Sequence, residues 1–428
     1  MEQNFKYSEI AVCSLDITPE KSRPIVGYFS RLSPGQLTAH SNLQASVTAL
    51  RNAGEGTPTV VVIAIDSLFI DQDFINDLVS GLERPELEGR ILAVASHSHG
   101  APNLQNRHFM NCPTDLNYKN SVLNKLKGAI KNIFADPTVW SQIEQIRSKI
   151  APFGKLVCRR KYGFHFDFRR RRFRKGYYFG QNLNGPTDPF VRSIEILNKN
   201  GIQAIWWCYA AHPAFFPEPN TINSDFPGFV RSHLQLQNPS AAIAFFPGLS
   251  GSVIPFVSSP PRTGIWWRDL IFRLPLVPGL GIFSQEEFKK WAKGIVDALS
   301  SVKAEAASVK NGIRFATGDI KNVFGLTKTP FDVNLAVLDL GVLRLLFLSG
   351  EPVAHWQPLL SRFINNGGII SGYMAGAPGY LATKQLLSEG GYEVEGFKTA
   401  FDVEGCLSPD IESKLIKSFQ TLVKDEKL

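Results

Sequence analysis

Short apolar runs bounded by turn residues recur along the chain, over 59–65, 91–96, 202–210, 241–246 and 342–348. Each is rich in β-branched or aromatic residues and lacks the apolar–polar alternation of a half-exposed strand. They therefore predict strands buried on both faces. Between them, apolar residues return at helical spacing over 73–82, 116–134, 227–236, 285–302 and 353–364, which predicts amphipathic helices. Strands and helices in alternation predict an α/β fold, with mixed central β-sheets flanked by helices. No fixed-period repeat or low-complexity linker interrupts the alternation, so one unit spanning 1–428 is expected.

Two segments depart from this pattern. Residues 153–182 carry Tyr162-Gly-Phe-His-Phe-Asp-Phe168 and then Arg169 to Arg172. Residues 256–284 are proline-broken and strongly apolar, with Trp266, Trp267 and Phe272. Both read as insertions beside a site. Charge sharpens the first: residues 155–175 hold ten of the 46 Lys and Arg but only one of the 38 Asp and Glu, Asp167. The net charge of +8 thus belongs to one segment, and the rest of the chain is close to neutral. A basic patch interleaved with aromatics suits single-stranded nucleic acid or anionic lipid headgroups; it also suits a plain solvated hairpin. No nucleic-acid motif accompanies it and the 256–284 segment offers an apolar lip, so peripheral contact with an anionic membrane through 155–175 is the favoured partner and nucleic acid is disfavoured.

Composition narrows the class further. An apolar content of 44% suffices for a sizeable core. The five cysteines, at 13, 112, 158, 208 and 406, are scattered and lack CxxC spacing, which argues against a disulfide framework or a cysteine-based zinc site. The first residues are polar and no run approaches the length of a membrane span. A cytoplasmic protein is the expectation, or a secreted one if a leader was removed.

Candidate chemistry gathers where the predicted strands end. His97-Ser98-His99 follows the 91–96 run, and side chains two apart on a strand share a face, a common start to a zinc site. His212 follows the 202–210 run and precedes Pro213, which keeps it extended. Glu351 follows the 342–348 run through Gly350; alone, such a carboxylate is as readily structural as functional. In open α/β sheets strand C-terminal ends face the ligand crevice. Two histidines and a carboxylate, His97, His212 and Glu351, make the protein ligands of a catalytic zinc. Asp225 reads as a helix cap, and Asp66 as a structural group or as an acceptor orienting a metal-bound histidine.

Several motifs taken in order resemble the neutral, non-lysosomal ceramidases and their bacterial relatives, which are zinc amidohydrolases: Asp16-Ile-Thr-Pro19 with Gly27-Tyr28, Ser96-His-Ser-His-Gly-Ala-Pro102, Ala211-His-Pro213, Asn223-Ser-Asp-Phe-Pro-Gly228, Phe246-Pro-Gly-Leu-Ser-Gly-Ser-Val-Ile-Pro255, Ser349-Gly-Glu-Pro352, Gly379-Tyr-Leu-Ala-Thr383 and Gly391-Tyr-Glu393. The resemblance implies zinc on His97, His212, Glu351 and Tyr380, with Tyr373 a weaker candidate for the fourth ligand. It also implies that His99 stabilises the oxyanion or supports a ligand, and that Arg159 clamps substrate. The chain departs from the family at Ser252 and Ile254, which stand where ceramidases carry an Asp and a Ser proposed to take part in catalysis. A zinc-activated water needs neither.

The expectation is a zinc-dependent amidohydrolase that cleaves an amphiphilic N-acyl amide, ceramide-like or otherwise lipidated, by metal-activated water. The rival is a catalytically silent, metal-stabilised binding protein for anionic membranes or an acidic partner.

Overall fold

The computed structural model of the chain describes residues 7–27, 34–35, 41–106, 114–167, 171–218, 220–258, 280–307, 312–324, 331–377, 379–401 and 403–424. The five apolar runs form strands Val60–Ile65, Ile91–Ala95, Gly201–Tyr209, Ala242–Pro247 and Arg344–Ser349. Their two-faced burial has a direct cause. Val61, Ile63 and Ile65 pack with Phe74, Leu78, Leu123 and Leu126 of helices Gln72–Leu82 and Leu116–Ala135. Val60, Val62 and Ala64 face the other way, onto Trp206, Cys208, Ala244 and Phe246 of a second sheet. The far side of that sheet, with Trp207 and Tyr209, packs on Phe226, Val230, Phe288 and Trp291 of helices Asp225–Gln237 and Gln285–Ser301. The layers are helix, sheet, sheet, helix, so the mixed α/β architecture expected from the sequence is the one observed.

The first sheet has nine strands in the order Arg314–Ile320, Val333–Asp339, Arg344–Ser349, Ile369–Met374, Ile91–Ala95, Val60–Ile65, Gln44–Asn52, Ser8–Asp16 and Ser141–Gln142. Its middle is unusual. The 369–374 and 91–95 strands run antiparallel and meet at one pair, Met374 with Val94, near the C-terminal end of both. Two half-sheets thus approach head-on, and the loops that follow their strands emerge at a common seam. The five-stranded second sheet is ordered Ala242–Pro247, Gly201–Tyr209, Phe190–Asn198, Gln145–Pro152 and Glu305–Ala307.

Helix starts follow local chemistry. The Asp71 and Asp115 carboxylates accept from the backbone N–H of Phe74 and Tyr118, and Ser284 with Glu287 forms a capping box. The helix expected over 353–364 is instead three short pieces: a 3-10 turn at Ala354–Trp356, one α turn at Gln357–Leu360 and a 3-10 turn at Ser361–Phe363. Pro358 has no N–H to bond back to Ala354, so no continuous helix passes through it. Trp356, Leu360 and Phe363 still reach the core, which is why the apolar spacing looked helical.

Residues 153–182 form a long hairpin of strands Leu156–Asp167 and Arg172–Asn182. Its base is not a mere appendage: Leu156 to Cys158 pair with Val253–Pro255, and Val157 to Arg160 are buried. The aromatic side chains expected to form the apolar lip, Trp266, Trp267 and Phe272, lie outside the described residues, as do Tyr28, Arg169 and Arg170. No helix among the described residues is long and apolar enough to cross a membrane.

Candidate metal centre

Three strands end just short of the seam, and each delivers one polar side chain two or three residues later. The 91–95 strand leads to His97, the 201–209 strand to His212 and the 344–349 strand to Glu351, and all three side chains are buried. The 97–99 stretch is not a strand continuation, as the sequence suggested. His97 has φ +60°, a left-handed conformation that a non-glycine residue adopts only where its surroundings enforce it. The kink sets the His97 and His99 rings nearly perpendicular, with centroids 5.1 Å apart. Glu351 is placed by a similar device, since Gly350 has φ +81° and a Cβ there would stand 2.8 Å from the Gly379 carbonyl.

The three imidazoles converge, with one nitrogen of each of His97, His99 and His212 within 4.8 Å of the others. The outward nitrogens of His97 and His99 are anchored to backbone. His97 Nδ1 donates to the Leu68 carbonyl and His99 Nδ1 to the Gly27 carbonyl, both at 2.9 Å. A carbonyl only accepts, so these partners place the proton on Nδ1 and leave Nε2 of each neutral ring an acceptor. His97 Nε2 then faces Glu351 Oε2 at 3.3 Å, and neither atom has a hydrogen-bond partner. His99 Nε2 lies 3.2 Å from His212 Nε2, and the His212 ring also feels the Ser250 backbone. His97 Nε2 and Glu351 Oε2, two acceptors face to face in a buried site, repel unless a cation stands between them. With metal–ligand bonds of about 2.0–2.1 Å, the edge of a tetrahedral site is about 3.3 Å, which both spacings match. The residues therefore fit a divalent metal. Burial holds the His212 pKa well below the usual histidine value, reinforced by His97, Arg159 and His99; a neutral ring is the form that ligates.

Gly27 shows how tightly the cluster is held. Its φ is +113°, and a Cβ there would stand 2.3 Å from His99 Nδ1, so only glycine lets this carbonyl reach the ring.

The two tyrosines divide. The Tyr373 ring packs 4.3 Å from the His97 ring, and its hydroxyl shares a 2.8 Å hydrogen bond with Ser250 Oγ. Tyr380 pairs backbone-to-backbone beside Glu351, and its ring centre lies 5.2 Å from the Arg159 guanidinium carbon. Burial raises the Tyr380 pKa well above the usual phenol value, against a lowering by Arg159 and with a further rise from Glu351. Arg159 itself is buried at the hairpin base, donates through Nε to Glu393 Oε1 at 2.9 Å, and has no hydrogen-bond partner at Nη2.

Other assignments are corrected. Asp66 does not orient a histidine: its carboxylate accepts from Arg231 at 2.7 Å and from the Gln44 N–H at 2.9 Å, while backbone carbonyls serve the rings. Ser224 rather than Asp225 occupies the cap position of the 225–237 helix. The Asp225 carboxylate instead accepts from the N–H groups of Phe215 and Phe216, at 3.0 and 2.8 Å, and from Phe226 at the helix start, fixing the loop that follows His212. Ser252 Oγ accepts from the Ala354 N–H at 3.2 Å, which ties it to the chain just past Glu351. Ile254 pairs with Val157 in the ladder, so it shares the face of Arg159, two residues on.

Sequence reasoning left Glu389 and Glu393 unassigned. Glu393 Oε2 accepts from Arg160 at 2.6 Å and Glu389 from Arg160 at 3.1 Å. Two adjacent arginines in the apolar Leu156-Val-Cys-Arg-Arg160 stretch signal buried cations that need carboxylates, but not which ones.

No protein-family model matches the chain, and no curated protein does. Among solved structures, neutral ceramidase from Pseudomonas aeruginosa superimposes with a TM-score of 0.69 at 13% identity, covering 98% of this chain and 74% of that one. A ceramidase complexed with C2 gives a TM-score of 0.69 at 12% identity, covering 98% and 75% respectively. The chain thus has a neutral-ceramidase-like fold.

Proposed function

We propose that this protein is a zinc-dependent hydrolase of an N-acyl amide whose substrate is an amphiphile, an acyl chain joined to a polar head. The observation that carries this reading is the bare His97 Nε2 facing Glu351 Oε2 at 3.3 Å, beside the His99–His212 pair, on a fold shared with amide-cleaving ceramidases. His97, His212 and Glu351 would hold the ion, with Tyr380 or His99 completing the set. Zinc bound there supplies an acidified water and a Lewis acid for the carbonyl.

The chain's own groups do the rest. The Leu68 and Gly27 carbonyls fix the tautomers and ring orientations of His97 and His99. Where His99 rather than Tyr380 completes the set, the Tyr380 hydroxyl has a proton to donate toward a developing oxyanion, with the buried Arg159 guanidinium beside it. With Ser252 Oγ engaged by the Ala354 N–H and Ile254 apolar, a water rather than a side chain supplies the oxygen that enters the amide.

Metal analysis of the purified protein, followed by incubation with N-acyl amides with and without a chelator, tests this. Bound zinc and chelator-sensitive release of fatty acid are expected. Zinc without turnover of any amide or ester overturns the hydrolase, and failure to bind zinc on reconstitution overturns the ligand assignment.

A further inference from the structure

Residues paired across an antiparallel ladder share a face. The hairpin register pairs Tyr162 with Tyr177, Phe164 with Lys175 and Phe166 with Phe173. One face is therefore mostly aromatic, with Lys175 among the rings, while Lys161, His165, Asp167, Arg172, Arg174 and Tyr178 lie on the other. Tyr162, Phe164 and Phe173 are 56, 60 and 63% exposed, a concentration of exposed aromatics on one element. The same face continues inward through Phe179, whose ring lies 4.6 Å from that of Tyr392, which in turn lies 5.5 Å from that of Tyr380.

Cations surround and enter this face. Lys161, Arg171 and Arg172 are exposed beside it and Lys175 within it, and the one acid of the arms, Asp167, sits 3.6 Å from Arg174. Arg159 and Arg160 take no part, being buried on Glu393. The rings pack on one another in pairs, Tyr162 on Tyr177 at 5.1 Å and Phe166 on Phe173 at 5.2 Å, rather than standing as separate platforms for stacked bases. An aromatic strip edged by Lys and Arg matches the interface of an anionic bilayer in both polarity and charge.

We propose that the aromatic face of this hairpin docks the protein onto anionic lipid surfaces, with its inner end leading toward Tyr380. The inference stands apart from the hydrolase reading, because its test measures no activity. The full chain is sedimented with phosphatidylcholine vesicles, with and without phosphatidylserine, at low and raised salt. Binding to the anionic vesicles, weakened by salt, is expected. The double variant Phe164→Ser, Phe173→Ser should lower vesicle affinity by about tenfold or more, and Lys175→Glu by at least about fivefold. Leu236→Ser, which alters an exposed apolar residue on a distant helix, should leave it unchanged. Thermal unfolding of each variant checks folding, and Lys175→Glu decides the matter alone if the double variant is unfolded. Absence of binding to anionic vesicles, equal binding by the folded hairpin variants, or preference for a single-stranded oligonucleotide over vesicles overturns the proposal.

Discussion

Two buried clusters of polar groups lie side by side in this protein, and they differ in closure. In the arginine cluster, Glu393 receives Arg159 and Arg160, and Arg160 also reaches Glu389 and the Gly390 carbonyl. Two cations meet two carboxylates, so the charges are matched even though Arg159 Nη2 lacks a hydrogen-bond partner. Burial alone would raise the Glu393 pKa, and the two guanidiniums overcome it and hold the carboxylate below its usual range. In the histidine cluster, burial is as deep but the sums do not close: His97 Nε2 and Glu351 Oε2 face each other without hydrogen-bond partners. The difference separates scaffold from site. A buried ionic group that finds its counter-ion within the chain is structural, whereas lone pairs converging on one another call for a cation from outside.

The largest effect should come from the open cluster. His97→Ala is expected to lower amide hydrolysis by more than about a thousandfold and to remove the bound metal, read by turnover and elemental analysis. Activity retained in this variant would erase the contrast. Breaking the closed cluster should cost stability instead. Glu393→Ala leaves two buried guanidiniums uncompensated, an expected loss of about 3–5 kcal/mol in urea unfolding, with zinc still bound by the folded fraction.

Asp225 sharpens the comparison as a buried carboxylate held by backbone N–H groups. Burial lifts its pKa to about 6 from 3.8, despite the lowering by those N–H groups. A carboxyl whose folded pKa is raised contributes stability that is full below the unfolded value and lost as pH rises through the folded one. Between about pH 4 and 6 the wild type should therefore lose up to about 3 kcal/mol through this group. Asp225→Asn should abolish that slope in denaturation measured across the window. The smallest effect is reserved for Ser252→Ala, which removes the acceptor of the Ala354 N–H: about 1 kcal/mol of stability, with hydrolysis within about twofold of wild type. A large loss of rate with stability intact would return Ser252 to the catalytic machinery.

How much of this was legible follows from what each feature depends on. The strands that deliver His97, His212 and Glu351 are continuous apolar runs, and their ends are marked by turn residues, so local pattern found them. Opposite the same strands, Gln44–Asn52 is hidden because Ala45, Ser46, Thr48 and Ala49 carry little apolar signal; neighbouring strands bury it. The positive φ of His97 has no signature in the residue itself, since it arises from what packs around it. The Asp66–Arg231 and Arg159–Glu393 pairs join positions 165 and 234 apart. A single sequence shows that each charge needs a partner without showing which.

The head-on seam has a kinetic consequence. His97, His212 and Glu351 come from strands of both half-sheets and of the second sheet, so no single sheet carries the complete set of donors. Loop closure over such separations costs entropy before any bond repays it. The donors are assembled only when the layers have docked, and an ion that binds that assembly and not its parts shifts the equilibrium toward the finished chain. An ion bound by the proposed donors would therefore add a link across a seam whose backbone pairing is the Met374–Val94 pair and the Ala375 N–H to the Ala93 carbonyl.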